Sequence, residues 1–194
     1  MTRLSILLAA LVLLVAGWRT EPRVRFTLTD ASTLWVTGTS SLHDWRCDAG
    51  QVNGWLELEA AEAAANISGS EITVATSLEC KNGTMNRKTR GALKADDHPT
   101  IRFAMTSAEM MSSSDDRFEA RVTGELTIAG ESRSVATTVA GLWTDEDGVH
   151  VAGELPVTMT DYGVDPPRAM LGTLKTGDNV TVHFELVAVP LRDL

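Results

Sequence analysis

Polar and apolar residues alternate along most of this chain with a period of two, most clearly in RFEARVTGELTIAG. There Phe118, Ala120, Val122, Gly124, Leu126 and Ile128 fall on one side, and Arg117, Glu119, Arg121, Thr123 and Glu125 on the other. Side chains of an extended backbone point alternately to opposite faces, so this stretch reads as one long strand with a single buried face. The alternation returns in VRFTL (Val24, Phe26, Leu28), TLWVTG (Leu34, Val36), QVNGWLELE (Val52, Leu56, Leu58) and EITVATSLE (Ile72, Val74, Leu78). It continues in TIRFAM (Ile101, Phe103, Met105), SVATTVAG (Val135, Val139), VHVAGELPVTM (Val149, Val151, Leu155, Val157) and NVTVHFELVAV (Val180, Val182, Phe184, Leu186). The pattern predicts an all-β chain of about eight to ten strands.

Turn-forming clusters separate the strands at short intervals: SSSDD at 112–116, AGES at 129–132, DEDG at 145–148 and KTGDN at 175–179. Neighbours in sequence should therefore pair as hairpins. One stretch breaks the period. TMNRKTRGALKA places Met85, Ala92 and Leu93 on one side, offers Thr84 as a cap, and is stopped by Asp96, Asp97 and Pro99, which predicts a short helix that plugs or flanks the sheet. Gly38, Gly54, Gly124 and Gly153 interrupt apolar faces, marking either strong bends or empty interior volume, and both favour a barrel over a sandwich. No repeat or low-complexity tract divides the chain, so a single domain is expected over residues 22–190.

Ahead of it, MTRLSILLAALVLLVAG has one cation, Arg3, and an apolar run from Leu4 to Ala16. The run is short for a bilayer crossing, and Val15 and Gly17 suit a cut after Gly17, so residues 1–17 read as a signal peptide. The competing reading is an uncleaved anchor. The whole chain carries 17 Lys and Arg against 26 Asp and Glu, a net charge of −9, and losing the leader makes it one unit more negative. Nucleic acid is thereby a poor partner. The exception is KNGTMNRKTRGALK, whose cations include Arg87, Lys88 and Arg90 with no acid between them: a solvated face, or a receiver for an anionic headgroup.

Export to an oxidising compartment makes a bond between Cys47 and Cys80 the expected state of the only two cysteines, with two buried thiols as the alternative. Cys47 belongs to SSLHDWRCDAG, residues 40–50, which crowds Ser41, His43, Asp44 and Trp45 together. A nucleophilic triad needs the carboxylate on the far side of the imidazole, yet in an extended segment Ser41 and His43 share a face that Asp44 leaves. The four histidines, His43, His98, His150 and His183, are scattered and form no ligand set with either cysteine, so no metal site and no cofactor is expected. His43 and Asp44 read instead as residues that tie a bend, Trp45 as cover for a barrel end, and Tyr162 in TDYGVD as a plug.

Taken in order, SSLHDW, GWLELE, ALKADDHPTIRF, VTGELTIAGESRSV, MTDYGV and GDNVTVHFELVAV resemble the YceI-like family of exported, lipocalin-like isoprenoid-binding proteins. The resemblance implies an eight-stranded antiparallel barrel, one short helix capping an end, and a long apolar cavity for a polyisoprenoid chain. The cavity residues expected from the alternating strands are Phe26, Val36, Val74, Phe103, Met105, Leu126, Val151, Leu155 and Phe184. The function so implied is binding or carriage of an isoprenoid or related long-chain amphiphile in the periplasm or cell exterior, with transient membrane contact and no catalysis. The rival readings are a secreted hydrolase using His43 and Asp44, and a structural barrel filled by its own side chains.

Overall fold

The computed structural model describes residues 23–59, 66–144, 148–169 and 174–191. The expected leader at 1–17 and most of the DEDG turn lie outside these residues. The elements are β1 (Arg23–Leu28), β2 (Thr33–Ser40), β3 (Trp45–Ala49), β4 (Val52–Glu59), β5 (Asn66–Ala75), β6 (Leu78–Cys80) and α1 (Gly83–Ala92). After the helix come β7 (Thr100–Ser113), β8 (Arg117–Ile128), β9 (Glu131–Trp143), β10 (Val149–Thr158), a 3₁₀ turn at Met159–Tyr162, β11 (Arg168–Ala169) and β12 (Leu174–Pro190).

Three staves of the sheet are bent into two strands each. β1 and β2 both pair with β12; β4 pairs β1 while β3 pairs β2; β5 pairs β4 while β6 pairs β3. Eight staves result, antiparallel and in chain order. The last returns to the first where Phe26 faces Pro190 and Leu28 faces Ala188, so the sheet closes into the expected barrel, although among the described residues β7 pairs β5 only over residues 100–104 and its remaining half pairs β8 alone.

The alternation is realised residue by residue in β8, where Phe118, Ala120, Val122, Gly124, Leu126 and Ile128 are buried and the charged partners are exposed. Outward ion pairs such as Arg102 to Glu71 at 2.7 Å join neighbouring strands. Polar outside and apolar inside is the reverse of a membrane-spanning barrel, which turns an apolar band to lipid. Among the described residues, no helix is long and apolar enough to cross a membrane.

AGES forms the tightest hairpin. Ala129 and Gly130 take φ of 50° and 87°, the two positive values of a turn whose twist matches the strands it joins. KTGDN, by contrast, is no hairpin. β12 runs through it, and the register against β2 shifts between Thr176 and Val180. A bulge draws on the same Gly, Asp and Asn as a turn. Here Asp178 accepts from the Thr160 backbone N–H at 3.0 Å and from its hydroxyl at 2.6 Å, tying the 3₁₀ turn to the bulge.

The helix is capped by Asn82 rather than Thr84. Asn82 is extended, and its Oδ1 accepts from the backbone N–H groups of Thr84 and Met85, both at 3.1 Å. It stops before the acidic pair, at Leu93, because Lys94 turns to a φ of 51°. Leu93 is buried with Leu126, Ile128 and Val157, so α1 covers the end of the barrel at which those residues sit. Cys47 and Cys80 face each other across β3 and β6 with Cα atoms 4.1 Å apart and are bonded.

Candidate functional site

The inward faces of the staves do not fill the barrel. They enclose a cavity of about 400 Å³ whose wall is almost wholly aliphatic and aromatic. Val36, Val74, Phe103, Met105, Leu126, Val151, Leu155 and Phe184 line it, each from the inward parity of its strand. Phe26 does not. It lies deeper, 5% exposed, with its ring 6.4 Å from that of Trp143. Periodicity gives the face on which a residue lies but not its depth along the barrel, and Phe26 shares the face without reaching the cavity. The same parity supplies Leu58, Val139 and Leu186, which the sequence reading counted as strand positions without assigning them to the cavity.

The interior glycines are neither empty volume nor mere bends. Rings lie across them: Trp45 over Gly38, Phe103 over Gly124 and Phe184 over Gly153. Gly54 is set close against the backbone carbonyl of Glu71. The missing side chains let large rings lie flat on the wall, which keeps them from crossing the lumen.

The two ends differ. At the floor, Phe118 and Val149 close the cavity, and beneath them Phe26, Trp143 and Ala188 pack, with the Phe118 and Trp143 rings 5.7 Å apart. At the mouth stand Leu42 and His43 from the loop after β2, Met85, Lys88 and Thr89 from α1, and Lys175 from β12. Leu42 is 68% exposed. Residues 85, 88, 89 and 92 share the inner face of α1, and the helical repeat turns Arg87 and Arg90 away. Arg90 pairs with Asp96 at 2.6 Å, and Arg87 donates to the Thr84 hydroxyl at 3.4 Å. Of the three expected headgroup cations only Lys88 reaches the cavity. Lys175 stands there too, hidden from the sequence because KTGDN carries turn-forming residues, whereas β12 runs through it.

The SSLHDW bend is tied mainly by Ser40. Its Oγ accepts from the N–H groups of Leu42 at 3.3 Å and His43 at 3.2 Å, and donates to the His43 carbonyl at 2.7 Å. His43 adds one bond, Nδ1–H to the Asp44 carbonyl at 2.6 Å, while the Asp44 carboxylate is exposed and takes no part. Ser41 Oγ accepts from the Lys175 backbone N–H at 3.1 Å. Ser41 and the imidazole are thus held by backbone groups and neither bonds the carboxylate, which is not the chain of contacts that nucleophilic catalysis needs. Trp45 lines the cavity near its mouth and donates Nε1–H to the Thr39 carbonyl at 3.0 Å. Tyr162 is buried against the cavity, and that burial pushes its phenol above the ordinary range. Among the described residues no group of three or more His, Cys, Asp and Glu could hold a metal ion.

Comparison with known proteins agrees with the barrel. A family model described as the YceI-like domain matches residues 19–188. The crystal structure of Burkholderia cenocepacia BcnA superposes with a TM-score of 0.66 at 17% identity, over 81% of this chain and 96% of that one. A polyisoprenoid binding domain from Saccharophagus degradans, implicated in plant cell wall breakdown, gives 0.64 at 13% identity, over 86% and 98%. The Campylobacter jejuni YCEI protein gives 0.57 at 14% identity, over 76% and 85%. No curated protein matches by sequence.

Proposed function

This chain belongs to the YceI-like family, and from its cavity we propose that it binds an isoprenoid or related long-chain amphiphilic lipid, outside the cytoplasm, without transforming it. The observation that carries the reading is a cavity of about 400 Å³ walled by apolar side chains and floored at one end. Each buried methylene-sized unit of a ligand gains about 0.8 kcal/mol, so a hydrocarbon chain needs no strong polar contact to be held. The name of the Saccharophagus domain points to the same ligand class. Export follows from the leader-like residues 1–17, and transient membrane contact from the need to collect or release such a lipid. The headgroup would rest at the mouth, where Lys88 and Lys175 suit an anionic or strongly polar oxygen.

A hydrolase built on His43 and Asp44 has no assembled triad to work with, and an interior filled by its own side chains does not fit the cavity. The test is organic extraction of the purified chain followed by mass spectrometry, with uptake of added prenols by the delipidated protein. An isoprenoid or long-chain amphiphile near one per chain is expected. Neither recovery nor uptake of any such lipid would overturn the reading.

A further inference from the structure

The floor of the cavity is a built feature. Phe118, the second residue of β8, has its ring laid across Gly141, the residue directly opposite on β9, where any side chain would collide with it. Trp143 packs against that ring at 5.7 Å and against Phe26 at 6.4 Å. Val149 and Ala188, 1% and 0% exposed, seal the neighbouring staves. Three aromatic rings from β1, β8 and β9 thus sit one behind another at the end opposite the mouth, and only Phe118 of the three touches the cavity.

Resting on the lipid-binding reading, we infer that this aromatic floor limits the length of prenyl chain the barrel accepts, with Phe118 as the stop. Along β8 the cavity runs from Phe118 to Ile128. Ten residue steps of about 3.4 Å at a barrel tilt of about 40° give a depth of about 25 Å. One extended isoprene repeat spans about 5 Å from ordinary bond lengths, so about five units fit between floor and mouth. Units beyond these stay outside the cavity and gain little from it. A barrel open at both ends would show no such limit, since a longer chain would thread through it.

The test uses delipidated full-length mature protein and all-trans prenols of three to nine units, with affinity read by displacement of a fluorescent fatty acid. In the wild type, affinity should rise at least about tenfold per added unit and then level off near five. Val122→Phe, two inward positions above Phe118, should bring the plateau earlier by about two units, and Phe118→Leu should delay it. Circular dichroism checks the fold, and if Phe118→Leu does not fold, Val122→Phe alone decides. A plateau at the same length in wild type and Val122→Phe, or affinity still climbing at nine units in the wild type, overturns the stop while leaving lipid binding intact. Binding of no prenol by the wild type overturns the lipid reading and the stop with it.

Discussion

The ring of Phe184 lies across Gly153, its direct partner in the β10–β12 ladder, so closely that a methyl group on the glycine would meet the ring Cζ at 2.6 Å and the Thr138 carbonyl oxygen at 3.2 Å. Gly153→Ala must therefore swing Phe184 off the wall and into the cavity that it lines. Overpacking of this kind typically costs about 1 to 3 kcal/mol. Chemical denaturation should show a loss in that range, and bound lipid should fall as the displaced ring takes up lumen. Unchanged stability with unchanged lipid content would contradict the close approach.

The Cys47–Cys80 bond closes a loop of 33 residues between β3 and β6. Tying these residues removes conformations from the unfolded chain, and the loop-entropy relation puts the gain at about 3 to 4 kcal/mol. Cys47→Ser with Cys80→Ser should lower stability by about that amount. Non-reducing mass analysis of exported protein should find no free thiol. The folded fraction of the double variant should still take up lipid, because most of the wall lies on other strands.

Tyr162 is the only tyrosine in the chain, so phenolate absorbance reports it alone. Burial favours the neutral phenol, Arg133 opposes this and Asp161 adds to it, with a net upward shift. The folded chain then keeps a proton that the unfolded chain releases. Stability contributed in this way is present below the ordinary phenol range and is lost as pH rises through the folded value. An alkaline titration should give a midpoint above that of the same chain in denaturant. Equal midpoints would show that the phenol is not buried as described.

β8 explains how much of this was legible beforehand. Its buried face, Phe118 to Ile128, could be read from sequence because one side of a barrel stave meets only apolar neighbours and the other only water. The closed eight-stave order came from the family resemblance, since alternation alone suits a sandwich equally well. Depth was not legible: Phe26 and Phe103 carry the same pattern, yet one is in the floor and the other in the wall. Nor could Asn82 be told from Thr84 as a cap, because the distinction lies in which backbone remains extended. Lys175 was hidden for a related reason, as Gly177, Asp178 and Asn179 suit a bulge as well as a turn.

Lys88 and Lys175 approach the mouth from α1 and from β12, and together they bring two positive charges to the mouth of a protein whose net charge is negative. A prenyl phosphate entering floorward would leave its charge at their level, whereas a prenol would leave only a hydroxyl. Lys175 is solvent-exposed, so salt screens the attraction and each charge contributes about 0.2 to 1 kcal/mol. Lys88→Glu with Lys175→Glu replaces attraction by repulsion and should weaken a prenyl phosphate by about tenfold or more relative to the prenol of equal length. The difference should shrink as salt rises from low to molar concentration. Arg87→Glu with Arg90→Glu changes the same net charge on the outer face of α1 and should leave that ratio nearly unmoved. Equal losses in the two double variants would show that only overall charge matters and that the mouth holds no headgroup.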